Sequence, residues 1–307
     1  MTRRAAAGLG HLLPLLLIAA AVVVVAGAAL LAACGGSSGG SSTAQPTATV
    51  TVTAPGSATA SSSASPSPSA PPAQTTVRLY FLRDDKLGVA ERRVAHTTMP
   101  ATASMKQLLA GPTSGESAAG LTSAIPKGTR LLSLTIDSAT ARVDLSRSFT
   151  SVSDGQSVGV RIAEVVYTLT RYSTVRSVEL LVEGNPMELG GVAVNGPQTR
   201  ADWRDYEPTI FVESPGVGAL VQSPFSLTGT ASVFEGTFQA RLVDSSGRRI
   251  VNVTVQASRG APGRGRFSKE VAFSTSAKSG TLIVFDQSME DGSRQDEVKI
   301  PVTFAAD

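Results

Sequence analysis

Leu132-Ser133-Leu134-Thr135-Ile136-Asp137-Ser138-Ala139-Thr140-Ala141-Arg142-Val143-Asp144-Leu145 decides the first fold. Leu132, Leu134 and Ile136 alternate with polar residues, and so do Ala141, Val143 and Leu145. Asp137–Thr140 between them has turn chemistry, so the stretch predicts a β-hairpin with one apolar face. Downstream, Ser153 and Gln156 have capping-box spacing. They precede Val158, Ile162, Val165, Val166 and Leu169, an apolar stripe at helical period. Val178, Leu180 and Val182 then predict a strand. Upstream, Val77–Leu82 reads as a strand. Pro100 opens a short helix whose face is Ala101, Met105, Leu108 and Leu109. Gly111-Pro112 stops that helix. The order is β-α-β-β-α-β, an α+β domain with helices on one face of a sheet.

Several of these residues resemble a known family in the right order. They are Leu79-Tyr80-Phe81, Leu108–Thr113, Gly120–Thr129, Val143–Phe149, Val165–Thr170 and Val182-Glu183-Gly184. Together they resemble the GerMN domain, named from sporulation and spore-germination proteins, over residues 77–200. The resemblance implies a fold similar to ring-building motifs of secretion and sporulation assemblies, and no enzymatic activity.

Residues 208–305 follow a different rule. Short alternating runs recur at Ile210/Val212, Phe225/Leu227, Phe238/Ala240/Leu242, Val251/Val253/Val255, Phe267/Val271/Phe273, Leu282–Phe285 and Val298/Ile300/Val302. Seven short strands without helices predict an all-β immunoglobulin-like sandwich. Ser214-Pro215, Ser223-Pro224, Phe234–Phe238 and Asp286-Gln287-Ser288 resemble Gmad2, an immunoglobulin-like domain paired with GerMN in envelope proteins. Pro186–Glu207 reads as the connector region.

The N-terminus carries Arg3 and Arg4, then an apolar run Leu12–Leu31, then Leu31-Ala32-Ala33-Cys34. That is the order of an export signal. Small residues before the chain's one cysteine resemble a bacterial lipobox, which implies cleavage after residue 33, a diacylglyceryl group on the Cys34 thiol and an acylated amino terminus such as palmitate supplies. The alternative is an uncleaved membrane helix, since about 20 residues suffice to span. Both place the rest of the chain outside the cytoplasmic membrane. Residues 35–76 hold 19 Ser or Thr, six Pro and no charge. Such a composition predicts a disordered stalk, residues 34–76 of the mature chain. Removing Arg3 and Arg4, with no acidic residue before Cys34, lowers the formal charge from +3 to +1. That balance gives no sign of nucleic-acid binding.

Catalytic signals are weak. His96 is the one histidine after Cys34 and sits in a polar stretch, so it reads as a solvated loop residue. Gly35-Gly36-Ser37-Ser38-Gly39 matches a nucleophile elbow only formally, because it lies in low-complexity sequence. Asp286, Ser288, Glu290 and Asp291 lack the glycine of a calcium loop at the sixth position. Asn252-Val253-Thr254 reads as ordinary strand. Asp144 and Glu183 lie on separate predicted strands, and paired carboxylates can perform glycoside hydrolysis, though both read as solvated strand residues. Arg130, Arg142, Arg147, Arg161, Arg171 and Arg176 make the first domain locally basic, and read as surface residues. Trp203 and Tyr206 are candidate interaction residues that read first as a plug between the domains. Phe234 and Glu235 are a further candidate pair. They read first as a sandwich-end core residue and a loop-bonding carboxylate, and otherwise as a partner-binding loop.

The sequence therefore predicts a noncatalytic lipoprotein of the cell envelope, anchored through Cys34 and using no cofactor. Its expected partners are the membrane, envelope proteins or cell-wall polymer, with no nucleic acid. The alternatives are a wall-active hydrolase using Asp144 or Glu183, and a solute-binding lipoprotein.

Overall fold

Strand β1 (Gln74–Arg83) is apolar on both faces, and the reason lies in its neighbours. In the computed structural model, which describes residues 73–151, 158–189, 192–194 and 196–305, β1 pairs antiparallel with β2 (Lys86–Ala95). Asp84 and Asp85 take positive φ in the two-residue loop, a conformation Asp tolerates better than most residues. Val77, Leu79 and Phe81 face the main core of the first domain. Tyr80 and Leu82 join Leu87, Val89, Tyr167 and Phe211 in a second, smaller cluster. The expected strand order thus gains β2, and β1 begins at Gln74 rather than Val77.

Helix α1 (Pro100–Leu109) buries Ala101, Met105 and Leu108 as the periodicity predicts. It ends at Gly111, whose φ of 78° suits glycine alone among common residues. Helix α2 (Ser114–Ala118) starts on a capping box between Thr113 and Glu116. Arg92 of β2 holds this corner together. Its guanidinium pairs with both Glu116 oxygens and donates to the Gly111 carbonyl (2.8 Å) and to Gln107.

β3 (Leu131–Asp137) and β4 (Thr140–Leu145) form the expected hairpin, with Ser138 and Ala139 at positive φ in its loop. Helix α3 (Val158–Thr170) crosses over to β5 (Ser177–Val182), which pairs parallel to β4. β6 (Asn185–Pro186) completes a sheet in the order β3-β4-β5-β6. Ala141, Val143, Leu145, Val178 and Leu180 are buried on one face with Ile162, Val165, Val166 and Leu169 of α3. The Ser153/Gln156 capping box lies outside the described residues. β7 (Glu188–Leu189) and β8 (Val192–Ala193) form a small separate pair.

A 3₁₀ segment, Arg200–Tyr206, leads into the sandwich. One sheet has the order β14-β11-β9, from β9 (Ile210–Ser214), β11 (Phe225–Ala231) and β14 (Gly265–Val271). The other has the order β10-β16-β15-β12-β13, from β10 (Leu220–Val221), β12 (Thr237–Asp244), β13 (Arg249–Gln256), β15 (Ser279–Gln287) and β16 (Arg294–Phe304). Every predicted apolar run falls on one of these strands or at its end. Phe238 and Phe267 meet edge-on at 4.9 Å between the sheets. The fold is therefore an α+β domain followed by an all-β sandwich.

The described residues of the two domains belong to one compact unit. The outer edge of β2 is bridged at Val89–Glu91 by the chain that follows β9. Val217 accepts from the Glu91 amide and donates to the Val89 carbonyl, both at 2.8 Å. Gly216 lies so close that a Cβ there would come within 3.1 Å of the Val89 and Ala90 backbone.

Candidate binding surfaces

The seam between the domains is built on one arginine. Arg200, at the start of the 3₁₀ segment, lies over the rings of Tyr80 (5.1 Å) and Tyr167 (4.7 Å). It pairs with Glu213 of β9 at 2.6 Å and donates to Thr170 Oγ1 at 2.9 Å. Tyr80 also donates to Glu213, at 2.6 Å. Burial alone would push the Glu213 carboxyl up, but Arg200 and the Tyr80 hydroxyl outweigh it and hold it below the usual range. Tyr80 is pushed well above its ordinary value, chiefly by burial. Around this hub Tyr80, Tyr167 and Phe211 form an aromatic triad with centroids 5.6–6.0 Å apart.

A second carboxylate does similar work. Glu207 accepts from the Tyr167 hydroxyl (2.7 Å) and the Thr230 hydroxyl (3.0 Å), and pairs with Arg264 (3.1 Å). Residues from α3, the connector, β11 and the loop before β14 are thereby fixed to one another.

Trp203 and Tyr206 stack at 6.3 Å and pack against α3. A Cβ at Gly159 would come within 2.5 Å of the Tyr206 hydroxyl. The pair is a wedge in the seam, half-buried. Phe234 lies elsewhere and departs from its first reading. It is 59% exposed, because the 3₁₀ turn Phe234–Gly236 carries its side chain outward. It borders a shallow cavity with Glu235, Phe238, Asp286 and Met289. Glu235 takes a φ of 52°, and its backbone carbonyl accepts from Gln256.

Asp144 and Glu183 lie near one turn after β5. Asp144 accepts from the Gly184 amide at 3.0 Å, while Glu183 faces Arg147 at 3.3 Å. Neither lines a cavity among those found in the described residues. Asp144 is thus occupied in holding the turn. His96 is exposed and engages the chain through its amide, which donates to Ala73. Asp291 and Ser288 bond within their own loop. Among the described residues no three His, Cys, Asp or Glu side chains converge. Arg161 departs from its surface reading. It is 1% exposed and donates to the Phe149 and Ser151 carbonyls, because α3 turns it inward. Arg142 and Arg147 face Glu179 and Glu183. Cys34, the export signal and the Gly35–Gly39 motif lie outside the described residues. No described helix is long and apolar enough to cross a membrane.

A groove of about 1130 Å³ opens where the connector meets the sandwich. Arg200, Arg204, Arg259, Arg264 and Arg266 all line it. Sequence reasoning located the basic character in the first domain instead.

The model for Germane, described as sporulation and spore germination, matches residues 78–188. The model for Gmad2, the immunoglobulin-like domain of bacterial spore germination, matches residues 209–293. The chain carries a Germane domain followed by a Gmad2 domain. Neither is known as a catalytic family. No curated protein matches the chain. The first GerMN domain of the sporulation protein GerM from Bacillus subtilis is 22% identical, covers 42% of this chain and 99% of its own, and has a TM-score of 0.37. The tandem GerMN domains of the same protein are 16% identical, with a TM-score of 0.38. They cover 65% of this chain, which spans 62% of theirs. A putative lipoprotein from Clostridium perfringens is 20% identical over 44% of this chain and 93% of its own, with a TM-score of 0.32.

Proposed function

We propose that this chain is a noncatalytic adaptor of the cell envelope, held at the membrane through a lipid on Cys34. It works in a process related to sporulation or germination, or in envelope assembly. The observation that carries the reading is the seam. Arg200, Glu213, Glu207 and Arg264 lock the Germane and Gmad2 domains into one body, which suits a molecule that presents fixed surfaces to partners. The carboxylates that a hydrolase would need are taken up elsewhere, Asp144 by a backbone amide and Glu183 by Arg147. The lipobox and the Ser/Thr/Pro-rich stretch support an anchored body on a long tether.

Complementation of a deletion strain tests this. Asp144→Asn combined with Glu183→Gln should restore the role fully at normal protein level. Loss of function in that double variant, with folding intact, would move the assignment to a wall hydrolase.

A further inference from the structure

We infer that the groove at the connector–sandwich junction is a binding site for a linear phosphodiester polyanion of the cell wall. The inference rests on the adaptor reading and assigns it a ligand class and a site. Of the five groove arginines, Arg200 and Arg264 are neutralised by Glu213 and Glu207. Arg204, Arg259 and Arg266 have exposed side chains and no carboxylate within ion-pair distance among the described residues. Asp205 is the one remaining acidic residue of the lining, and Lys86 reaches its carbonyl at 2.7 Å. The groove therefore holds an excess of guanidinium charge.

Those three arginines come from three segments of the chain. Arg204 lies on the connector, Arg259 in the loop after β13, and Arg266 on β14. The seam holds the connector against the sandwich, so the backbone positions that carry these cations around the groove are set. Clustered guanidinium forks suit phosphate, which each can bind through two parallel hydrogen bonds. Ser232, Thr228 and Ser268 add hydroxyl-bearing residues along the same wall.

Two other anionic surfaces fit less well. A membrane-binding face needs apolar side chains to insert beside its charges. Here Phe267 is 4% exposed, and the exposed Phe234 and Met289 border a different cavity. A single-stranded nucleic acid needs aromatic platforms for its bases. Trp203 and Tyr206 are turned into the seam and do not line the groove. A concave, cationic, stack-free channel suits a polymer whose repeating charge is its backbone.

The test uses the full chain in nonionic detergent and fluorescently labelled poly(glycerol phosphate), read by anisotropy across a salt series. Saturable binding is expected. Arg204→Ala with Arg259→Ala and Arg266→Ala should weaken it at least about tenfold at low salt and flatten the log–log salt slope by about 2, as three lost phosphate contacts require. Alanine at the exposed Arg130, Arg176 and Arg249 should leave both unchanged. If the first triple variant fails to fold, the lysine triple keeps the charge, and its loss of the two-point contact should weaken binding about threefold. Equal binding by wild type and the groove variants would overturn the inference. Tighter arginine-dependent binding to phosphatidylglycerol vesicles would overturn it in favour of the membrane. Neither result depends on Asp144 or Glu183, so failure here is distinct from failure of the adaptor reading.

Discussion

Replacing Arg200 with alanine should cost more than any other single change in the seam. Several interactions go at once, among them bonds donated to the Tyr80 hydroxyl and the Tyr167 carbonyl. The charge-assisted pair with Glu213 at 2.6 Å is worth roughly 1.5–3 kcal/mol in a partly buried setting. Placement over Tyr80 and Tyr167 adds about 0.5–1 kcal/mol for each ring. The bond to Thr170 is lost as well, and Glu213 is left without its counter-charge. These contributions are not additive, so about 3 kcal/mol is the expected loss. For a folded region of this size that lowers Tm by about 6–12 °C. Differential scanning calorimetry on wild type, Arg200→Ala, Glu213→Ala and the double variant measures both the loss and the coupling. The two singles together should exceed the double by at least about 1 kcal/mol. A drop under about 1 °C, or a coupling near zero, would refute the account of the seam as an arginine-centred lock.

Other outcomes follow from single contacts. Glu164 is fully buried, and burial pushes its pKa up to about 8, although the Ala124 amide donates to it at 3.0 Å. An unfolded glutamate titrates near 4.3, so the folded chain binds the extra proton between about 4 and 8. Stability should therefore fall as pH rises through that window, and Glu164→Gln should flatten the decline in urea midpoints. No pH dependence lost on substitution would contradict this. Gly159→Ala should displace the wedge by about 1–3 kcal/mol, since its Cβ would meet Trp203 at 2.9 Å. Trp203 is the chain's one tryptophan, so a red shift in emission reports the displacement directly. An unshifted spectrum with unchanged stability would count against the wedge. Cys34→Ala should abolish incorporation of a fatty-acid probe, and label remaining on that variant would exclude the anchor.

Much of the fold was legible because local pattern and tertiary role agreed. The β4 run, the α1 stripe and most of the sandwich runs announce one buried face by their period, whereas β3 misled, since Leu132 and Ile136 of its alternating run are exposed. β2 was hidden for a physical reason. Gly88, Ala90 and Arg92-Arg93 break the alternation, and the strand's outer partner, Val217, is far away in sequence. The seam was harder still. Tyr80, Tyr167, Arg200 and Glu213 are scattered along the chain, and no local spacing links them. A tryptophan and a tyrosine three residues apart in a connector were the surviving signal, and in the structure they stack beside α3. Phe234 misled because an apolar residue beside a strand usually turns in. The turn geometry at Glu235 sends it out. Arg161 misled in the opposite sense, since its partners are backbone carbonyls that leave no mark in sequence.

The cover over β2 also sets an order of events during synthesis. The Germane domain is translated first, and its hairpin edge has unpaired amides and carbonyls until Val217 appears. An open strand edge is a template for pairing with other chains. A first domain on its own would thus present an unpaired strand edge at Val89–Glu91, and the start of the Gmad2 domain supplies the partner for it in cis.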